Sequence, residues 1–238
     1  MQIILEPGVT FDGYWIDYIV EETKRLMHGE FKEHFDNLPD TLENKHLMFC
    51  LTDDLLMFCK DKVINLEKVD SDTVADAYTS FKQINSNAIF RAEFFGKSDN
   101  DIFQLTCIQL TINVSTLNVF IVREFERIDL MKEFLSLTIR HELGHIIDFL
   151  SYHGKPIDDV LKIRKQYEDE KEAFYKSWEG QPFSKELSFK YQELEEEAVA
   201  NTNGNVDVKR SHEVEELMAA THKDCSIVLN IDMEVKDK

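Results

Sequence analysis

His141-Glu142-Leu143-Gly144-His145 lies within a run, Ile128 to Tyr152, that reads as one long helix. Leu130, Met131, Phe134, Leu135, Leu137, Ile139, Leu143, Ile146, Ile147, Phe149 and Leu150 make it apolar nearly all round. A helix apolar on every side is a buried one. Residues four apart lie one above the other, so the imidazoles of His141 and His145 can reach a single ion. Glu142 follows the first histidine directly, an offset that aims its carboxylate at a water on the metal and not at the metal itself. That is the general-base position of H-E-x-x-H hydrolases. Two imidazoles and a carboxylate inside an apolar helix need partners, because an unpaired buried polar group costs about 1–3 kcal/mol. A metal supplies one. The bland alternative, a turn of a charged surface helix, fits the apolar surroundings poorly. The stretch therefore predicts a zinc site and hydrolysis of peptide bonds.

Catalytic zinc takes three protein ligands and keeps a position for water. A third histidine in H-E-x-x-H-x-x-G-x-x-H spacing is excluded: Asp148 stands at the glycine position, Ser151 at the last histidine position, and His153 comes two residues too late. A glutamate from a second helix, in Glu-x-x-Ala-Asp/Asn, is available in Glu197-Ala198-Val199-Ala200-Asn201. Glu197 and Asn201 share a helix face. Ala198 and Ala200 are small enough to let two helices approach, and the Asn201 amide could hold a ligand histidine from behind, as ligating histidines usually require. Glu195 also fits the first four positions but puts Val199 where the Asp or Asn belongs, so it stays as the alternative ligand.

At these residues the chain resembles the glutamate-liganded zincins, the gluzincin-type metallopeptidases. Within that group, His141 to Asp148 followed by Glu197-x-x-Ala200 looks most like the branch holding anthrax lethal factor and the Pro-Pro endopeptidases. The resemblance implies one zinc ion (Zn2+) per chain on His141, His145 and Glu197, with Glu142 as base. It departs from that branch in lacking an aromatic pair after the glutamate and in carrying Asn201 where an acid is common. A tyrosine shortly before the ligand maps to Tyr191 only with a one-residue shift. Tyr191 is thus a candidate for polarising the developing oxyanion, beside the plainer reading as a half-buried helix tyrosine. His153, His212 and His222 compete for that role. Asp148 projects from the same face as the two histidines, either to hydrogen-bond one of them or to pair locally with Arg140 or Lys155. The other acids around Glu197 read as a solvated helix face.

Around this centre the pattern predicts an α+β, zincin-like fold: a small, mostly antiparallel sheet precedes the buried HExxH helix, and helices fill the C-terminal half. Strands are expected at 2–5, 88–95, 102–114 and 117–125, with a bulge or bend near Cys107, where the alternation slips phase. Leu-Met-Phe-Cys at 47–50 and again at 56–59 suggests a hairpin across Asp53-Asp54. Helices are expected at 11–38, 71–84, 158–178, 185–202 and 211–222. Residues 1–87 read as an N-terminal α/β region packed on the catalytic unit, 88–223 as the catalytic region, and 224–238 as an acidic tail.

Four cysteines at 50, 59, 107 and 225 lack paired metal-ligand spacing and read as reduced thiols. No signal-like segment and no membrane-spanning run is visible, so a cytoplasmic setting is expected. A net charge of −19 argues against a nucleic-acid partner. The leading expectation is a zinc-dependent endopeptidase with a protein or peptide substrate. Two rivals are a zinc-containing regulator that does not cleave and an acidic decoy for a basic protein surface. Oligomeric state is left open.

Overall fold

A computed structural model describes residues 2–5, 13–42, 47–52, 89–114, 117–118, 121, 127–178 and 185–220. Four strands, β1 (Gln2–Leu5), β2 (Met48–Thr52), β3 (Phe90–Asp99) and β4 (Ile102–Asn113), form one sheet in the order β1-β2-β4-β3. The helices among the described residues are α1 (Gly13–His28), α2 (Lys32–Phe35), α3 (Ile128–Leu150), α4 (Ile157–Trp178), α5 (Lys185–Gln192), α6 (Glu195–Asn203) and α7 (Val208–Ala220). The α+β class and the helical C-terminal half agree with the sequence reading. Among the described residues no helix is long and apolar enough to cross a membrane.

The sense of the sheet does not agree. β1 pairs with β2, and β2 with β4, in parallel; only β3 and β4 are antiparallel. Helices α1 and α2 lie between β1 and β2, and a helical crossover returns the chain in the same direction. Because β2 is bonded along both edges, it cannot be half of a hairpin with 56–59. That segment, the helix expected at 71–84 and the tail from 224 lie outside the described residues. Residues 114, 117, 118 and 121 are helical where a strand was expected. Val114 and Leu117 are both buried, and a spacing of three puts them on one side of a turn, so packing overrides their β-type composition.

The β3–β4 hairpin follows from its own residues. Its two-residue turn, Asn100-Asp101, has φ of 50° and 63°, the left-handed pair that a tight hairpin of this twist requires and that Asn and Asp tolerate. The anticipated phase slip is a bulge: Phe95 opposes Cys107 while Gly96 opposes Leu105, leaving Thr106 unopposed. The extra residue turns Phe103 and Leu105 on one side of it, and Ile108, Leu110 and Ile112 on the other, into the same buried face. Gly96 has no space for a side chain, since a Cβ there would lie 2.1 Å from Cζ of Phe103. Gly96→Ala is expected to displace that ring and cost about 1–3 kcal/mol, read as a lower denaturation midpoint with unchanged slope.

Helix α3 packs on this face. Phe149 meets Phe94 at 4.5 Å between ring centroids, and Tyr152 adds an edge contact at 5.8 Å. On its far side α3 is braced by α1, through Tyr18 Oη donating to the Lys132 carbonyl at 3.0 Å and Ser136 Oγ to Glu22 at 2.6 Å. The single helix expected over 11–38 ends at His28; the N–H of Phe31 turns back onto the Leu26 carbonyl at 2.9 Å before α2.

Candidate metal centre

Helices α3 and α6 touch backbone to backbone. A Cβ on Gly144 would fall 1.9 Å from the Ala200 carbonyl oxygen, and one on Gly204 would fall 2.1 Å from that of Arg140. This approach carries Glu197 and Asn201 up to the two histidines. Ala200 is buried in the contact, whereas Ala198 is exposed, so only one of the two alanines serves the approach. The helix expected over 185–202 is broken at Glu193-Leu194, where Leu194 takes an extended conformation with ψ of 143°. The break folds the end of α5 back onto α6: Tyr191 Oη donates to Glu197 Oε1 at 2.9 Å, and Asn201 Nδ2 donates to Gln192 Oε1 at 2.8 Å.

Three ligand-type atoms converge. His141 Nε2 lies 3.1 Å from Glu197 Oε2 and 3.2 Å from His145 Nε2, which is itself 3.7 Å from that carboxylate oxygen. All lie within 4.8 Å of one another, a group that could hold a metal ion. Asn201 Oδ1 sits 2.8 Å from His141 Nδ1. With its amide nitrogen committed to Gln192, Asn201 accepts a hydrogen bond from Nδ1–H there, which leaves Nε2 as the nitrogen that faces the cluster. Two imidazole nitrogens and one buried carboxylate match the donor set of a three-ligand zinc site.

Glu142 is buried beside them without joining them. Its Oε2 accepts the N–H of Ala92 at 2.8 Å, a backbone group of β3, a terminal strand of the sheet among the described residues. No hydrogen bond engages Oε1 among the described residues. A cleft opens here, lined by Arg91, Ala92, Glu142, His145, Phe149, Lys171 and Glu196.

Behind the carboxylates stand two cations from α4, Arg164 buried and Lys171 half-buried. Lys171 Nζ is 2.8 Å from both Glu197 Oε1 and Glu196 Oε2, and Arg164 Nη1 is 2.8 Å from Glu196 Oε1. Burial alone would push the carboxyl of Glu196 up, but Lys171 and then Arg164 hold it down at about 2. Glu197 is likewise held well below the usual carboxylate range, its burial outweighed by Lys171 and the histidines. Burial, then the charge of Glu197, pushes the Tyr191 phenol up, so it stays a neutral donor. Glu196 thus departs from the expected solvated face. Lys171 and Arg164 were not singled out in the sequence, yet a signal existed: Val160, Arg164, Tyr167, Lys171 and Phe174 follow helical spacing, with two cations at positions a core-facing stripe normally gives to apolar residues.

The remaining sequence candidates lie elsewhere. Glu195 is exposed and faces α4, its carboxylate accepting from Gln166 and its N–H donating to Glu170 at 2.8 Å. Asp148 neither bonds a ligand histidine nor pairs with Arg140 or Lys155; it accepts from Tyr152 Oη, one turn along. Arg140 pairs instead with Glu30 at 2.8 Å. His153 Nδ1 accepts the N–H of Leu105 at 3.3 Å, at the end of the sheet. His212 is buried with its ring 3.8 Å from that of Phe189, and His222 lies outside the described residues. Cys50 Sγ lies 3.4 Å from Gln109 Oε1, and Cys107 Sγ lies 3.4 Å from Met48 Sδ.

Burial opposes charge on His141, but the hydrogen bond and charge of Glu197 outweigh it and raise the imidazole to about 9. A raised histidine stabilises the folded, metal-free protein below its ordinary value near 6.5, and that contribution is lost as pH climbs through about 9. Metal must displace this proton. Uptake of a metal ion at pH 7.5 is therefore expected to release about one proton, and apparent affinity to rise about tenfold per pH unit until pH nears the histidine's raised value. Titration calorimetry in buffers of differing ionisation enthalpy reads both. Compared with known proteins, the chain matches no family model, no curated protein and no solved structure.

Proposed function

We propose that the protein is a zinc-dependent endopeptidase of the glutamate-liganded zincin type. The observation that carries this reading is the convergence of His141 Nε2, His145 Nε2 and Glu197 Oε2 beside a buried glutamate whose second oxygen is unengaged. His141, His145 and Glu197 would hold the zinc, which would supply Lewis acidity to the substrate carbonyl and to the attacking water. Glu142, steadied at Oε2 by the Ala92 amide, offers Oε1 to take a proton from the attacking water and hand it to the departing amine. Asn201 keeps the His141 ring in orientation, and Gln192 keeps Asn201. Beside the site, β3 is a terminal strand of the sheet among the described residues, a backbone edge on which an extended peptide can lie. Tyr191 acts from behind Glu197 in this arrangement, on the ligand and not on the substrate carbonyl.

The test is metal analysis joined to a peptide-library digest. One zinc per chain and cleavage that stops on chelation and returns with zinc are the expected results. Stoichiometric zinc with no cleavage of a broad library would instead favour a metal-containing regulator, and protein that binds no zinc would remove the proposal.

A further inference from the structure

We infer that Lys171 is a positioning residue for Glu197: with Tyr191 it holds Oε1 of that carboxylate, so that Oε2 alone is turned toward the histidines. The inference rests on the zinc-site reading above and deepens it. The Lys171 ammonium stands 2.8 Å from Oε1 and the Tyr191 hydroxyl donates to the same atom at 2.9 Å, while Oε2 is 3.1 Å and 3.7 Å from the two imidazole nitrogens. Two donors on one oxygen and two ring nitrogens on the other leave the carboxylate a single rotational setting. Swinging both oxygens toward an ion would break the ion pair with Lys171 and the hydrogen bond from Tyr191 together, in a site with little access to water. Lys171 is itself held in place. It also reaches Glu196 Oε2 at 2.8 Å, its charge lies 5.7 Å from the centre of the Tyr191 ring, and Arg164 occupies the other oxygen of Glu196. Helix α4, which supplies no ligand, thereby sets the presentation of one.

A plainer role is possible in chemistry: a half-buried lysine that only offsets the charge of Glu196. The two roles separate in metal binding. With the full chain, zinc affinity is measured by competition with a chromophoric chelator, and coordination is followed by visible absorption of the cobalt-substituted protein. K171M is expected to bind zinc about 10–100-fold more weakly, the usual effect of removing a partner that orients a ligand. Y191F is expected to lose about fivefold, as for one neutral hydrogen bond, and K171R to recover most of the K171M loss. Cobalt bands in K171M should weaken as the released carboxylate turns both oxygens to the ion. Should K171M fold poorly, K171M/E196Q keeps the local net charge of the wild type and is expected to show the same loss, against E196Q as against wild type. Zinc affinity in K171M, or in K171M/E196Q relative to E196Q, equal to or tighter than its parent would overturn the inference while leaving the metal site standing. Wild-type protein that binds no zinc overturns both.

Discussion

Glu142→Gln is expected to leave one zinc bound per chain and to lower peptide hydrolysis by about 10²–10⁴-fold, the contribution of a positioned general base. The amide has nearly the shape of the carboxylate. Its oxygen can keep the Ala92 N–H that Glu142 Oε2 accepts at 2.8 Å, so the fold and the three ligands are undisturbed. What disappears is an oxygen able to receive a proton. Metal content and initial rates on one cleaved peptide, compared between wild type and variant, read the two halves separately. Full activity in the variant would remove Glu142 from the chemistry, whereas loss of zinc along with activity would mean that it helps to hold the site together.

Gly144→Ala is the second large effect. The added methyl would stand 1.9 Å from the Ala200 carbonyl oxygen, 2.7 Å from its carbon and 2.8 Å from the Gly204 nitrogen. These are backbone atoms, and no rotamer change relieves them. The helices α3 and α6 must separate, and α6 carries Glu197 away from His141 and His145 as it goes. A cost of about 3 kcal/mol, at the upper end for overpacking, corresponds to a fall in Tm of about 6–12 °C for a chain of this size. Stoichiometric zinc binding is expected to go with it. Ala198→Leu is the control: Ala198 is on the same helix but exposed, so it should keep both Tm and zinc. A Gly144→Ala protein with wild-type stability and metal content would show that the helices do not need so close a crossing.

The sequence itself determined the parts of this protein that are local. A 3.6-residue period marks α3 and places His141 and His145 on one face, whatever the rest of the chain does. The Asn100-Asp101 turn and the phase slip near Cys107 similarly record the hairpin and its bulge in neighbouring residues. Glu197 and Asn201 were legible as a pair because four-residue spacing defines a helix face. Only the tertiary structure decided the rest. Strand direction depends on the connections, so a parallel β2–β4 pair left no mark in the residues that form it. The break at Glu193-Leu194 lets Tyr191 meet Glu197, and Ala92 meets Glu142 through a backbone amide that any residue but proline would offer. Lys171 looked like one lysine among many acids until α4 packed it between Glu196 and Glu197. Periodicity reports which side of an element is buried; which groups meet there is set by contacts between residues far apart in the chain.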